Sequence, residues 1–441
     1  MVRLRMGALV GVAAIVFAAC GTAASPSPSA SSPGTSAEPG TSAAPSAGGE
    51  IKEGGSFIVA LPGDIDNTDP ALISDSNSSY VMNQVMQGLV GLAPGSVSEI
   101  VPVLASELPT VSDDGLTYTF KVREGVKFHD GTDVNAEAVK FNYDRWKNFP
   151  EELQQAYAYY AGAVFEGYGD GSNVASTEAP DATTFILKLK EPRSNFLIAQ
   201  TLTPFFISSP AALQAGDADN IDISKSKFAQ GEPGIAMIGT GPFKFKEWVA
   251  DDHVTIEKNA DYWDPAGAAH LDEIIFRPFP DQTAEFNAVS SGEVDFAQTV
   301  APADAATITE GGALQAIDRG ESCNLGHLAI NQKFKPVDNL KIRQAMMHAL
   351  NRQAYIDAFY AGQAVPADNW MPPATQHYKA LGLPTYDPDR AKALIAEAQA
   401  EGVTDLSIDF WYPSDVARPY MPDPRGLFEA ISNDLEAVGF T

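Results

Sequence analysis

Apolar residues follow two rhythms along this chain. In its first two thirds they recur at every second position: Leu116, Tyr118, Phe120 and Val122 alternate with polar neighbours, as do Phe185, Leu187 and Leu189, Phe243 and Phe245, and Val254 and Ile256. A period of two puts one set of side chains on one face, so these segments predict half-buried β-strands. Phe57–Leu61, Val126–Phe128 and the stretch DEIIFRPFP (272–280) predict three more. The second rhythm is helical. Val139, Tyr143 and Trp146 stand at i, i+4 and i+7 behind Asn135, whose side chain suits an N-cap. A helix is expected over Thr283–Ser290, ending before Gly292.

The last third reads as helices with short strands. Ile342, Met346, Ala349 and Leu350 share one face. Asp387 caps a helix that Pro388 opens and Gly402 ends, and Leu427, Ile431, Leu435 and Val438 make a stripe stopped at Gly439. LSIDFWY (406–412) predicts a strand between the last two helices. A helix that follows a strand and closes on Gly feeds the next strand of a parallel pair. Only Phe440 and Thr441 follow, so the sequence reads as a fragment with a C-terminal part missing.

At 441 residues the chain exceeds what one core can organise, and two or three domains are expected. The opening MVRLRMGALVGVAAIVFAAC pairs Arg3 and Arg5 with an apolar run from Met6 to Ala19, a secretory signal too short to span a membrane comfortably. Its end, VFAAC, resembles a bacterial lipoprotein processing box, with Phe17 where Leu is usual. That resemblance implies lipid modification of Cys20. Gly21 to Gly49 is Ser, Pro, Ala, Gly and Thr with one charge, a composition that cannot bury a core and serves as a tether. With Cys20 lipidated, Cys323 has no disulfide partner and reads as a small buried apolar residue.

Charge narrows the partners. There are 57 acidic and 29 basic side chains, a net of −28. Such a surface repels phosphates, so no nucleic acid partner is expected, and self-repulsion favours a monomer.

Candidate chemistry is sparse. His129-Asp130 is the pairing that a search for catalysis would stop at. It lies in HDGTD between a strand and the Asn135 helix, where Asp and Gly make a turn, and no oriented base or nucleophile accompanies it. Asp64, Asp66, Thr68 and Asp75 have calcium-loop spacing, but Asp69 stands where the loop needs Gly and Pro70 follows. Gly239-Thr-Gly241 is too short for a phosphate loop. The six histidines show no i, i+4 pair, and no Gly-x-Ser-x-Gly elbow is present. No catalytic residue, metal ligand or cofactor is assigned, and a secreted hydrolase is the weakest reading.

One set of motifs in order carries a resemblance: DNTDPA (66–71), PVLASE (102–107), SDDGLTYTFKVREGVKFHDG (112–131), GTGPFKFKEW (239–248), KNADYWD (258–264), SGEVDFA (291–297) and NLKIRQAMMHALNR (339–352). The chain from Glu50 onward resembles the extracytoplasmic solute-binding proteins of peptide-type ABC transporters, the dipeptide- and oligopeptide-binding family. After FHDG the family's helix opens Thr-Ala-Glu-Asp-Val; here it opens Asn135-Ala-Glu-Ala-Val139. The resemblance implies an α/β, two-lobed periplasmic-binding-protein-like fold with an extra domain on the first lobe. The expected division is a signal peptide (1–20), a tether (21–50), a first lobe (51–68 and 183–295), an extra domain (69–182) and a second lobe (296–441). It implies capture of a peptide or related solute between lobes, delivery to permease subunits served by a cytoplasmic ATPase, and a lipid anchor on the outer face of the cell membrane. In the dipeptide binders the aspartate for the ligand's amino terminus would fall beyond Thr441, so that contact is unassigned.

Loops at the carboxyl ends of strands bind ligands in α/β folds. FWYPSDVARPYMPDP (410–424) is such a segment. There Arg418 can pair a ligand carboxylate while Tyr420 and Trp411 line the wall; the alternative is a solvated charge among packing aromatics. By similarity the same segment faces the cleft. Asn67, in the loop after the first strand, is a further candidate, and so is Trp370, for which core packing is the stronger reading. Competing functions on the same fold are a tethered peptide sensor without import and a binder of nickel, oligosaccharide or opine.

Overall fold

The computed structural model describes residues 52–298, 300–309, 311–317, 324–375, 377–413, 418 and 420–441. The expected signal peptide with Cys20, the tether and Cys323 lie outside the described residues.

The strands are β1 (Ser56–Leu61), β2 (Val90–Leu92), β3 (Ile100–Pro102), β4 (Thr110–Val111), β5 (Thr117–Lys121), β6 (Val174–Asp181), β7 (Thr184–Leu189), β8 (Phe243–Val249), β9 (His253–Lys258), β10 (Glu273–Pro278) and β11 (Phe296–Ala297). A five-stranded sheet has the order β11-β1-β10-β9-β8. β1 runs parallel to both of its neighbours, and β9 runs antiparallel to β10 and β8. Alternation sends the residues of β1 to two cores. Ala60 packs with Ala288 and Val294, whereas Val59 and Leu61 pack with Val81, Met82, Phe243 and Ile256. A strand covered on both faces needs a continuous apolar run, which is why FIVAL does not alternate. The helix Gln282–Ser291 carries the chain from β10 to β11. Asp281 caps it through the Ala284 amide (2.8 Å), and Gly292 ends it at φ 77°.

A second, antiparallel sheet has the order β4-β5-β7-β6, with Phe120 opposite Phe185 and Tyr118 opposite Leu187. The helix Ala136–Lys147 covers it, capped by Asn135 through the Ala138 amide (2.9 Å). Its Tyr143 ring lies 4.8 Å from Phe185, and Trp146 meets Phe205 edge-on at 5.3 Å. Phe196, Phe228 and Ile238 belong to the same core. The division expected at 182/183 therefore falls inside the β6–β7 hairpin, and beyond it Phe205, Phe228 and Ile238 still pack with the second sheet while Phe206, Ala236 and Met237 join the core of the first. The expected strand Val126–Phe128 keeps its alternation, with Val126 and Phe128 buried and Lys127 exposed, but it forms only an isolated bridge, between Lys127 and Asp133.

The last third has its own core of Ile342, Met346, Leu394, Ile395, Leu435 and Val438, drawn from the helices Leu340–Ala349, Pro388–Ala400 and Pro424–Val438. Leu350 leaves helical geometry, and Asn351 caps a separate helix, Arg352–Phe359, through the Ala354 amide (3.2 Å). Asp387 and Gly439 cap as expected. Leu406–Tyr412 joins no sheet among the described residues. It is bonded instead to Thr441, whose carbonyl accepts from the Ile408 amide (3.0 Å) and whose amide donates to Leu406 (3.3 Å), the bond pattern of a parallel pair. No described helix is long and apolar enough to cross a membrane.

Candidate functional site

The loop after β1 is fixed from within. Asn67 is 2% exposed; its amide nitrogen donates to the Leu72 carbonyl (3.2 Å) and its oxygen accepts from the Asp69 amide (2.8 Å). Both ends of the side chain are thus committed to its own loop. Asp69 is buried against Arg145, which also binds Asp219, so the loop is tied to the helix over the second sheet. Asp64 accepts from the Trp248 indole (3.0 Å) and the Asp251 amide (2.8 Å), and Asp75 caps the helix Ser76–Val85. Two carboxylates of the calcium-like spacing therefore hold backbone and ring. Asp66 and Asn67 border a cavity of about 330 Å³ with Ser74, Tyr157 and Gln230. Partial burial, then the charges of Asp75 and Asp64, push its carboxyl up to about 6.

His129-Asp130 is a turn, and its contacts are structural. The His129 amide donates to the Gly239 carbonyl (2.9 Å), and its ring Nε2 lies 3.1 Å from the Gly241 carbonyl. Burial pushes the imidazole down to about 4, the carbonyl contact only partly offsetting it. Asp130 accepts from the Thr132 amide (2.9 Å) and the Ser209 hydroxyl (2.5 Å). Gly239 and Gly241 are needed for close approach: a Cβ on either would stand 2.6 Å from backbone oxygens of Gln84 or Val85. FHDG and GTGPF thus meet as one joint.

Different chemistry gathers in the last third. Arg418 opens a closed reverse turn. Its amide donates to Met421 O (3.0 Å), and the Met421 amide donates back (2.8 Å). Its guanidinium is half-buried and makes no hydrogen bond or ion pair among the described residues. Tyr420, inside the turn, is 40% exposed. The Tyr360 hydroxyl donates to the Tyr420 carbonyl at 2.8 Å, and Gly326 abuts the same carbonyl, where a Cβ would fall 2.9 Å away. The next residue, His327, meets Trp370 edge-on at 4.7 Å. The segment 326–327 therefore links Trp370 to the turn of Arg418 and Tyr420. Trp370 is 70% exposed, so core packing is not its role. Trp411 is 86% exposed and makes no ring contact among the described residues. Its neighbours Phe410 and Tyr412 both lie on Phe428, at 4.9 and 4.4 Å, which leaves Trp411 on the opposite side of the segment.

Of the five sequence candidates, the structure links Arg418, Tyr420 and Trp370 through residues 326–327, leaves Trp411 apart, and bonds the Asn67 amide within its own loop at the edge of the small cavity. Sequence reasoning missed Tyr360, Gly326 and His327. The only signal for Tyr360 is its place just past the end of a helix.

Comparison with known proteins agrees with this architecture. The family described as bacterial extracellular solute-binding proteins, family 5 Middle, matches residues 99–441. The glutathione-binding protein GsiB of Escherichia coli K12 is 35% identical over 341 residues, 77% of this chain and 61% of that protein. The chain thus spans about three fifths of the length of the curated relatives it matches. Among solved structures, the periplasmic binding protein DppA of Helicobacter pylori in complex with peptide STSA superposes with a TM-score of 0.72 at 26% identity, covering 88% of this chain and 73% of that one. The dipeptide-binding protein of Pseudoalteromonas sp. SM9913 in complex with Met-Leu gives 0.72 at 25% identity, covering 88% and 75%. The fold is α/β and two-lobed, of the periplasmic-binding-protein type.

Proposed function

Because the chain belongs to the family 5 bacterial extracellular solute-binding proteins, we propose that it captures a short peptide, or a related small solute bearing a carboxylate, and hands it to the permease of an ABC importer. The observation that carries the reading is Arg418. In a chain with almost twice as many acids as bases, this arginine has no acidic partner among the described residues, and the exposed Tyr420 shares its turn. A guanidinium presents a planar fork that fits a carboxylate with two parallel bonds, and aromatic walls cover an extended apolar ligand. The likeness to a protein named for glutathione binding, and to structures holding peptides, supports the same ligand class. Closure of two lobes over the ligand would exclude water and signal the loaded state; no bond is made or broken. Cys20 would carry the lipid that anchors the protein, as a monomer, on the outer face of the cell membrane, with residues 21–50 as tether. Permease subunits and a cytoplasmic ATPase would complete the importer.

The test is thermal unfolding of the purified protein, first unfolded and refolded to strip carried solute, against dipeptides, tripeptides, sugars and nickel. A ligand at 100 times its Kd stabilises the folded state by about 2.7 kcal/mol. A raised midpoint with free peptides, lost in Arg418→Gln, is the expected result. A response to sugars or nickel alone would overturn the peptide assignment.

A further inference from the structure

We propose that Tyr360 is a positioning residue for ligand binding, acting with Gly326 as a latch that presets Arg418. The proposal rests on the reading of Arg418 as the carboxylate contact. Arg418 and Met421 are paired by two backbone bonds, which hold the two to each other but do not fix their place on the protein. Its place is set by the Tyr420 carbonyl, which meets two groups distant in sequence. The Tyr360 hydroxyl donates to it at 2.8 Å across a separation of 60 residues. Gly326 lies so close that a Cβ would stand 2.9 Å from the same oxygen and 3.8 Å from the Tyr360 hydroxyl.

The helices make this a rigid mount. Tyr360 follows the helix Arg352–Phe359 directly, and its amide bonds back to the Ile356 carbonyl. On the other side, Asp423 caps the helix Pro424–Val438 through the Gly426 amide (2.9 Å), and a Cβ on Gly426 would meet the Phe359 ring at 2.6 Å. The end of one helix and the start of the other therefore meet next to the turn. A guanidinium with no ion-pair partner among the described residues gets its direction from the backbone that carries it. An arginine held ready loses less freedom on binding than one that must first be ordered. Gly326 also precedes His327, which meets Trp370, so a shift of this strut moves the aromatic wall and the arginine turn together.

The experiment measures binding of a library of dipeptides and of the same dipeptides as C-terminal amides, on refolded full chain, for wild type, Arg418→Gln, Tyr360→Phe and Gly326→Ala. The readout is the ratio of affinities for free carboxylate and amide. Tyr360→Phe removes one hydrogen bond and no bulk, so the ratio should fall by about 3- to 10-fold, with the ligand-free unfolding midpoint nearly unchanged. Gly326→Ala should lower the ratio in the same direction by displacing the turn. A loss of the ratio in Arg418→Gln with full retention in both latch variants would overturn the latch and leave the site reading standing. An unchanged ratio in Arg418→Gln, or no binding of any dipeptide by wild type, would overturn both. A merely structural role would lower both affinities equally and leave the ratio alone, which also overturns the latch.

Discussion

Replacing Arg145 with Met should be among the most damaging single changes in the first two thirds of the chain. Its side chain is 3% exposed and that of Asp69 is fully buried. The guanidinium binds both oxygens of Asp69 (2.5 and 3.3 Å), Asp219 (2.6 Å) and the Ala218 carbonyl (3.2 Å), and stacks over Phe149 at 4.9 Å. Burial alone would push the arginine's pKa down; the charges of Asp69 and Asp219 more than offset it, so the net shift is upward. Met keeps much of the volume and the apolar stem but leaves the Asp69 carboxylate in a dry site without a counter-charge. Removing one member of a buried pair costs about 3–5 kcal/mol. Asp219 is half-exposed and finds water, so it adds little. The assay is urea unfolding followed by circular dichroism, with linear extrapolation to water. The double variant Asp69→Asn/Arg145→Met should recover at least half of the loss, because no charge is left buried and Asn keeps an oxygen for the Ala71 amide that Asp69 now caps. A cost below about 1 kcal/mol for Arg145→Met, or a double variant equal to the sum of the singles, would refute the buried-pair account.

Further perturbations test the joints around the sheets. His129 is held near 4 in the fold against 6.5 in the unfolded chain, so the unfolded state takes up the proton first and stability falls as pH drops from 6.5 toward 4. Wild type should lose about 2 kcal/mol more than His129→Gln between pH 7.5 and pH 5, read from urea midpoints at the two pH values. Asp66 has the opposite sign: its carboxyl is raised to about 6, so its favourable contribution is complete below 3.8 and lost as pH rises through 6. Asp66→Asn should therefore unfold at higher temperature than wild type at pH 7.5, and by a smaller margin at pH 4.5. Gly241→Ala would press a Cβ within 2.7 Å of backbone atoms of Gln84 and Val85, which cannot turn away, and should cost about 3 kcal/mol in the same urea assay.

The sequence made legible what local chemistry decides. Period-two runs at Leu116–Val122, Phe185–Leu189 and Phe243–Phe245 form strands, and Asn135, Asp387, Gly292 and Gly439 cap helices, because each such effect acts within a few residues. What needed a distant partner was not legible. Leu406–Tyr412 has strand composition, yet a ladder depends on a neighbour, and among the described residues Thr441 alone supplies the backbone bonds of a pair. The boundary at 182/183 failed to anticipate that β7 pairs with β5 and β6. At the site, Arg418 and Tyr420 were signalled by an aromatic, proline-rich loop. Asn67 had the right loop but both amide ends turned inward, and Tyr360 and Gly326 reach Tyr420 across 60 and 94 residues, where no spacing rule applies.

Where a protein leaves chemistry uncommitted is itself informative. In the first two thirds several conspicuous carboxylates are committed: Asp69 to Arg145, Asp64 to Trp248, and Asp130 to Ser209 and Thr132. Folding stability alone accounts for those arrangements, since burying such groups unpaired costs several kcal/mol each. Arg418 with Trp370 and Trp411 has no such account. An arginine with no partner among the described residues gains nothing from them for the fold, and two tryptophans exposed by 70% and 86% forgo apolar burial worth about 2–3 kcal/mol apiece. Mounting the unpaired guanidinium on a turn that Tyr360, Gly326 and two helix ends hold in place makes sense when its partner arrives from solution. The stability costs therefore point to the same stretch, 326 to 421, that the ligand-binding reading selects.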